Sequence, residues 1–245
     1  MAQHMKRITA PLSWKTGKKE FYWVASPRPG RHKAEAAVPL LVVIRDVLKL
    51  ARTAREAESI LKSGAVLVDG EKASDMKQGI GMMDVVSVKT IGKTYRAFPS
   101  KKGLVFPEIP EKEGKLKILK VTRKTTVSGG KIQVTFHDGR NVLFSKEDGA
   151  KIKTGTSAVF DLETKKIAKI ITLEKGANAL VFAGVHSGNV LEISQVKDGS
   201  AYSPRTVLLE SGKKTLETLR DYVIAIGEKG KTEISVPETA KEASS

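Results

Sequence analysis

From Lys115 onward the chain consists of short apolar runs cut by glycine turns, and this pattern constrains the fold more than any other feature. Lys115 to Val127 and Lys131 to Phe136 read as strands joined across Ser128-Gly129-Gly130, and Asp138-Gly139 marks the next turn. Ala158-Val159-Phe160 and Ile167 to Leu173 make a further pair around Glu163-Thr164-Lys165. From Leu173 to Val196 short apolar runs alternate with Gly176, Gly184 and Gly188. Strands this short with turns this frequent build small barrels or sandwiches. The βαβ alternation that a methyltransferase sheet needs is missing.

Residues 39–92 follow a different rhythm. Leu40, Ile44, Val47, Leu48 and Ala51 recur at helical spacing, with Pro39 suited to the first turn. Arg45, Lys49 and Arg52 then fall on a neighbouring face of that helix. Thr53-Ala54-Arg55-Glu56 matches a capping box, in which the Thr53 hydroxyl caps the Glu56 amide and the Glu56 carboxylate reaches back. The second helix buries Ala57, Ile60 and Leu61, shows Arg55 and Lys62 to solvent, and ends at Gly64. Val66 and Val68 alternate as a strand, Asp69-Gly70 makes a hairpin turn, and Val85, Val86 and Val88 supply a returning strand.

The first 38 residues are basic. Lys6, Arg7, Lys15, Lys18, Lys19, Arg28, Arg31 and Lys33 are opposed before residue 34 only by Glu20. Two prolines and a glycine keep Ser26 to Lys33 from being helical. Trp14, Phe21, Tyr22 and Trp23 sit in the same segment, so the expectation is an extended arm pinned at intervals by aromatic rings. At the other end, residues 229–245 mix Lys and Glu, finish Ala-Ser-Ser and read as a flexible tail.

Composition decides the partner class. Against 27 acidic side chains stand 43 Lys and Arg, a net charge of +16, while 40% hydrophobic content is that of a folding chain. Such an excess calls for a polyanion, and nucleic acid comes before a membrane surface. Aromatics at 5% are few for a protein that grips single strands mainly by stacking. The absence of cysteine excludes disulfides and thiolate metal sites, and four scattered histidines form no metal-ligand spacing. The apolar stretch Ala36 to Ile44 is interrupted by Pro39 and falls well short of the roughly 20 residues of a membrane helix. With no apolar leader pattern at the N-terminus, the chain reads as soluble and intracellular.

Two motifs carry a family resemblance. Thr53-x-x-x-Ala57-x-x-Ile60-Leu61-x-x-Gly64-x-Val66-x-Val68-Asp69-Gly70 resembles the RNA-binding module named after bacterial ribosomal protein S-four. Lys175-Gly176 through Gly184-x-His186-x-Gly188-x-Val190 is similar to a KOW motif, the strand–turn–strand of small SH3-like barrels. In this order, after the words His4-x-Lys6-Arg7-x-x-Ala10-Pro11 and Pro27-Arg28-Pro29-Gly30-x-His32-Lys33 and with Met83-Asp84-Val85-Val86, they resemble the archaeal/eukaryotic-type small-subunit ribosomal protein family "S-four-e". The resemblance implies an α+β, multidomain chain in which a helix-pair-plus-hairpin RNA-binding module precedes β domains that include an SH3-like KOW barrel. It divides into a basic extended arm (1–38), the module (39–92), a central β domain (93–172), the KOW barrel with C-terminal strands (173–228) and the tail (229–245). Two positions depart from the module's habit. Ala54 stands where a basic residue is common, and Asp69 replaces the usual turn Asn, placing a negative charge near the proposed RNA face.

The implied role is a structural constituent of the cytoplasmic small ribosomal subunit, partnered by rRNA and neighbouring ribosomal proteins, with no membrane, no cofactor and no homo-oligomer. Its expected RNA contacts are Lys6, Arg7, Lys15, Lys18, Lys19, Arg28, Arg31, His32, Lys33, Arg45, Lys49, Arg52, Thr53, Arg55, Lys62 and Lys72. The bland alternative for the helix-pair cations is a solvated face. The competing functions are a transient KOW-bearing RNA-binding factor and an accessory module of an RNA-modifying enzyme. Catalytic signatures fail one by one. Gly92-Lys93-Thr94 has Ser87 where a P-loop needs glycine, Gly79-Ile80-Gly81 meets Asp84 where the third glycine belongs, and Gly184 to Gly188 displaces the serine of a nucleophile elbow. Deleting residues 1–33 is expected to flatten the salt dependence of binding and leave the rest folded.

Overall fold

A computed structural model describes residues 4–200, 202–211, 214–228 and 231–237 of the chain. It divides into two compact units, residues 1–98 with 102–115, and residues 99–101 with 116–245.

In the first unit the helix beginning at Leu40 is short. α1 (Leu40–Val42) widens at once into a π-type turn over Val43–Val47, closed by Leu48 N–H on the Val43 carbonyl at 2.8 Å. Leu40, Leu41, Val42, Val43 and Ile44 are all buried, so the element is apolar all round rather than along one stripe. Branched side chains at Val42, Val43 and Ile44 are stiff and crowd a regular helix. Lys49 takes a left-handed φ of 53°, and Ala51 reaches the core from outside the helix. The expected single face of Arg45, Lys49 and Arg52 therefore does not exist.

α2 (Ala54–Lys62) forms as expected. The Thr53 hydroxyl accepts from the Glu56 amide at 3.2 Å, and the Glu56 carboxylate accepts from the amides of Arg52 (2.8 Å) and Thr53 (3.4 Å). Asp69 and Gly70 both have positive φ, 51° and 79°, the conformation of a two-residue hairpin turn between Val66–Val68 and Glu71–Lys72. The five-stranded sheet runs in the order Glu108–Ile109, Lys93–Arg96, Val85–Val88, Val66–Val68, Glu71–Lys72. It passes the boundary expected at residue 92, because Lys93–Arg96 pairs directly with Val85–Val88.

Residues 4–38 are largely extended, with single helical turns at Arg7–Thr9 and Leu12–Trp14, yet they are seated on this unit rather than free of it. Ala10, Trp14 and Val24 are buried in the same core as α1 and α2. Of the four aromatic rings, only Trp14 is buried; Phe21, Tyr22 and Trp23 are exposed. The segment is pinned by Ala10, Trp14 and Val24 together with the ion pairs described below.

The second unit holds two antiparallel sheets among its described residues. The first has the order Asn141–Phe144, Ile132–Phe136, Leu116–Thr126, Ser157–Asp161, Lys166–Ile171. The second has the order Lys214–Leu219, Thr206–Ser211, Val190–Lys197, Asn178–Val181, Val223–Glu228, Lys231–Thr232. Val159, Ile171 and Ala225 form a shared apolar cluster between them. A short helix, α3 (Lys146–Lys151), is capped by the Ser145 hydroxyl and interrupts the otherwise β reading. The expected tail is partly ordered, since Lys231–Thr232 pairs with Gly227 and Glu228 and Ile234 is buried. Its residues 229–230 and 238–245 lie outside the described residues.

Candidate nucleic-acid interface

The expected RNA contacts separate into two groups once geometry is added. Several cations of the N-terminal segment are neutralised by carboxylates of their own unit. Arg7 has no exposed side-chain surface; its guanidinium donates to Glu20 at 2.8 Å and to Asp46 at 3.4 Å, and also to the Gly17 carbonyl. Arg45 shares Asp46 at 3.0 Å, and its guanidinium lies 4.5 Å from the centre of the Phe21 ring. Arg28 meets Asp75 at 2.9 Å.

Arg31 spans Asp69 at 3.0 Å and Glu71 at 2.9 Å. This answers the charge expected at the hairpin turn, because the Asp69 side chain is buried, faces Arg31 and accepts from the Val85 amide at 3.1 Å. His32 Nε2 sits 2.9 Å from the Asp84 carboxylate, which also accepts from the Gly81 amide at 2.8 Å. Gly81 is glycine for a steric reason, since a Cβ there would run into the His32 ring. Arg7 and His32 thus face inward, away from any RNA on the unit's surface.

The second group points outward. Lys15, Lys18, Lys19, Lys33, Lys49, Arg52, Arg55 and Lys72 are exposed and form no ion pair among the described residues. Lys15 has its pKa lowered, first by partial burial and then by the like charge of Lys102. Uncompensated like charges of this kind are what a phosphate relieves. Lys62 is exposed and paired with Glu58 at 2.8 Å along α2. Lys6 is exposed over the Tyr22 ring at 5.6 Å. Thr53 acts as the α2 cap.

Sequence reasoning missed a set of charges in the second unit. Lys117 and Asp138 are fully buried 3.3 Å apart, with Arg140 2.9 Å from the same carboxylate. Lys120 donates to the carbonyls of Arg220 and Asp221 at 2.9 and 2.8 Å. Burial pushes its pKa down to about 8, with Asp221 opposing and Arg220 assisting. It lines a cavity of about 390 Å³ together with His137, Phe182, Arg205 and Arg220. The one available signal was Lys117 and Lys120 inside an apolar run, Leu116 to Val121, where strand alternation alone cannot tell an inward lysine from an outward one. Among the described residues no cluster could hold a metal ion, and no helix is long and apolar enough to cross a membrane.

Comparison with known proteins now bears on the site. The model described as "Ribosomal family S4e" matches residues 91–167, and the "RS4NT (NUC023) domain" matches residues 1–35. A relative from Methanothermobacter thermautotrophicus, named "Small ribosomal subunit protein eS4", is 38% identical over 96% of this chain and 96% of its own. The chain belongs to the S4e family. A second relative of the same name, from Archaeoglobus fulgidus, is 37% identical over 92% of this S4e chain and 94% of its own. The crystal structure of the 30S ribosomal protein S4e from Thermoplasma acidophilum has a TM-score of 0.70 at 32% identity, covering 80% of this S4e chain and 98% of its own. The N-terminal match coincides with the segment that the ion pairs hold down.

Proposed function

We propose that this S4e chain is a structural constituent of the small ribosomal subunit, holding rRNA by phosphate neutralisation and shape recognition during assembly and translation. The observation that carries the reading is the end-to-end match to relatives named for that subunit. The net charge of +16 and the outward lysines supply the physics, because phosphate contacts position a protein on RNA without reading its sequence. Lys15, Lys18, Lys19, Lys33, Lys49, Arg52, Arg55 and Lys72 are the proposed phosphate contacts.

Within that role, residues 39–92 act as the S-four-type module and residues 173–228 as the KOW barrel. Asn178–Val181 and Val190–Lys197 supply the strand–turn–strand the KOW reading needs. The partners are small-subunit rRNA and adjacent ribosomal proteins in the cytoplasm, and the chain has no enzymatic role. The test is sedimentation of the native protein through a sucrose gradient in high salt. An integral subunit protein stays with the small-subunit peak. Release to the top of the gradient overturns the reading.

A further inference from the structure

Phe21, Tyr22 and Trp23 stand consecutively on the surface of the first unit, 46%, 64% and 53% exposed. The chain has two tryptophans; Trp14 is in the core and Trp23 is left in water. Three adjacent large rings held outside a core that has room for Trp14 are a surface with an occupant to find.

The rings are fixed in place. Trp23 and Val24 pair with Lys6 and Met5 in a two-stranded ribbon, and the Arg7 amide donates to the Tyr22 carbonyl at 2.9 Å. Tyr22 and Trp23 meet edge to face, with centroids 4.8 Å apart and planes at 83°, so the edge of one ring rests on one face of the other while each residue stays more than half exposed. His4 leans on Trp23 at 5.7 Å and 54°. Cations are interleaved with the rings, Lys6 over Tyr22 and Arg45 over Phe21. The two nearby carboxylates, Glu20 and Asp46, are both engaged by arginine. Flat π surfaces beside an unopposed ammonium group suit a ligand that combines aromatic faces with negative charge.

We infer that Tyr22 and Trp23, flanked by His4 and Lys6, form a stacking platform for unpaired bases of RNA, with the adjoining phosphate against Lys6. The inference rests on the RNA-binding reading above and narrows it. Duplex RNA hides its base faces, whereas splayed nucleotides stack on aromatic rings and keep their phosphates free for lysine. An acidic protein neighbour would use the cations but leave the open ring faces without flat partners.

The test uses the full chain and two fluorescein-labelled probes, a single-stranded adenosine dodecamer RNA and a 12-base-pair RNA duplex, with binding read by anisotropy over a range of salt. Trp23→Ala and Tyr22→Ala are each expected to weaken the single-stranded complex roughly tenfold, with the salt slope and the duplex affinity unchanged. Trp23→Phe should retain single-stranded affinity within about threefold, because phenylalanine also stacks. Trp23→Phe should also abolish quenching of tryptophan emission by the unlabelled dodecamer, leaving only buried Trp14 to emit. Unchanged single-stranded affinity in the alanine variants overturns the platform. So does an equal loss on both probes, which marks a folding defect. Normal RNA binding with failed incorporation into the subunit assigns the patch to a protein neighbour and likewise overturns it. A wild-type chain that binds the duplex but not the dodecamer overturns the platform alone, and one that binds neither overturns the RNA-binding reading as well.

Discussion

Arg7 is the residue on which the N-terminal segment turns. Its guanidinium has lost all solvent and replaces it with Glu20, Asp46 and the Gly17 carbonyl. Three fixed acceptors match the planar donor fork of arginine better than the point charge of lysine. Removing one partner of a buried ion pair strands the other, at about 3–5 kcal/mol. Here the loss is moderated, because Glu20 is largely exposed and Asp46 keeps Arg45. Arg7→Met is therefore expected to destabilise the first unit by about 3 kcal/mol, read as a lower urea midpoint in a full-chain melt. An unchanged midpoint would mean that the pair contributes nothing to holding the segment.

At the scale of elements, α2 and its hairpin are specified locally. Thr53 and Glu56 satisfy the donors at the helix start between themselves, and the Glu56 carboxyl is held below its usual pKa chiefly by the Arg52 amide. Thr53→Ala should cost about 1 kcal/mol, seen as a small drop in the unfolding midpoint with the RNA salt slope unchanged. A loss of RNA affinity at that unchanged slope would instead make Thr53 an RNA contact. The Asp69-Gly70 turn was equally legible, since positive φ at both positions is the property that Asx-Gly pairs share. α1 was not legible. Its apolar residues fit a helical stripe in sequence, but the core closes around every side of Leu40 to Ile44, and the helix widens and stops before the stripe is complete. Lys146–Lys151 was hidden for a different reason, being a single capped turn-and-a-half with almost no apolar periodicity.

For the whole molecule, charge and stability have to be separated by experiment. Deleting residues 1–33 no longer serves, because it removes Trp14, Val24 and Ala10 from the core and leaves Asp46, Asp69 and Asp84 without Arg7, Arg31 and His32. The deletion is expected to unfold the first unit. Lys15→Gln, Lys18→Gln and Lys19→Gln combined remove surface charge with no core residue touched. If all three meet phosphates of duplex RNA, the log–log salt slope should fall by about 2.7, at roughly 0.9 per contact. A slope that does not move would remove these lysines from the interface.

The sequence by itself determined the partner class, the family and the locally encoded pieces. Net charge is additive along the chain, and a capping box or an Asp-Gly turn is complete within four residues. Tertiary structure decided which cations remain free to meet a partner. Arg7, Arg28, Arg31 and His32 looked equivalent to Lys15, Lys18 and Lys19 in the basic run, yet the first four meet Asp46, Asp75, Asp69 and Asp84 from 38 to 52 residues away. The aromatic run divided in the same manner, Trp14 inward and Trp23 outward. Pairing over such separations depends on folded distance, because an ion pair and a buried ring are made in space and leave no spacing signal along the chain.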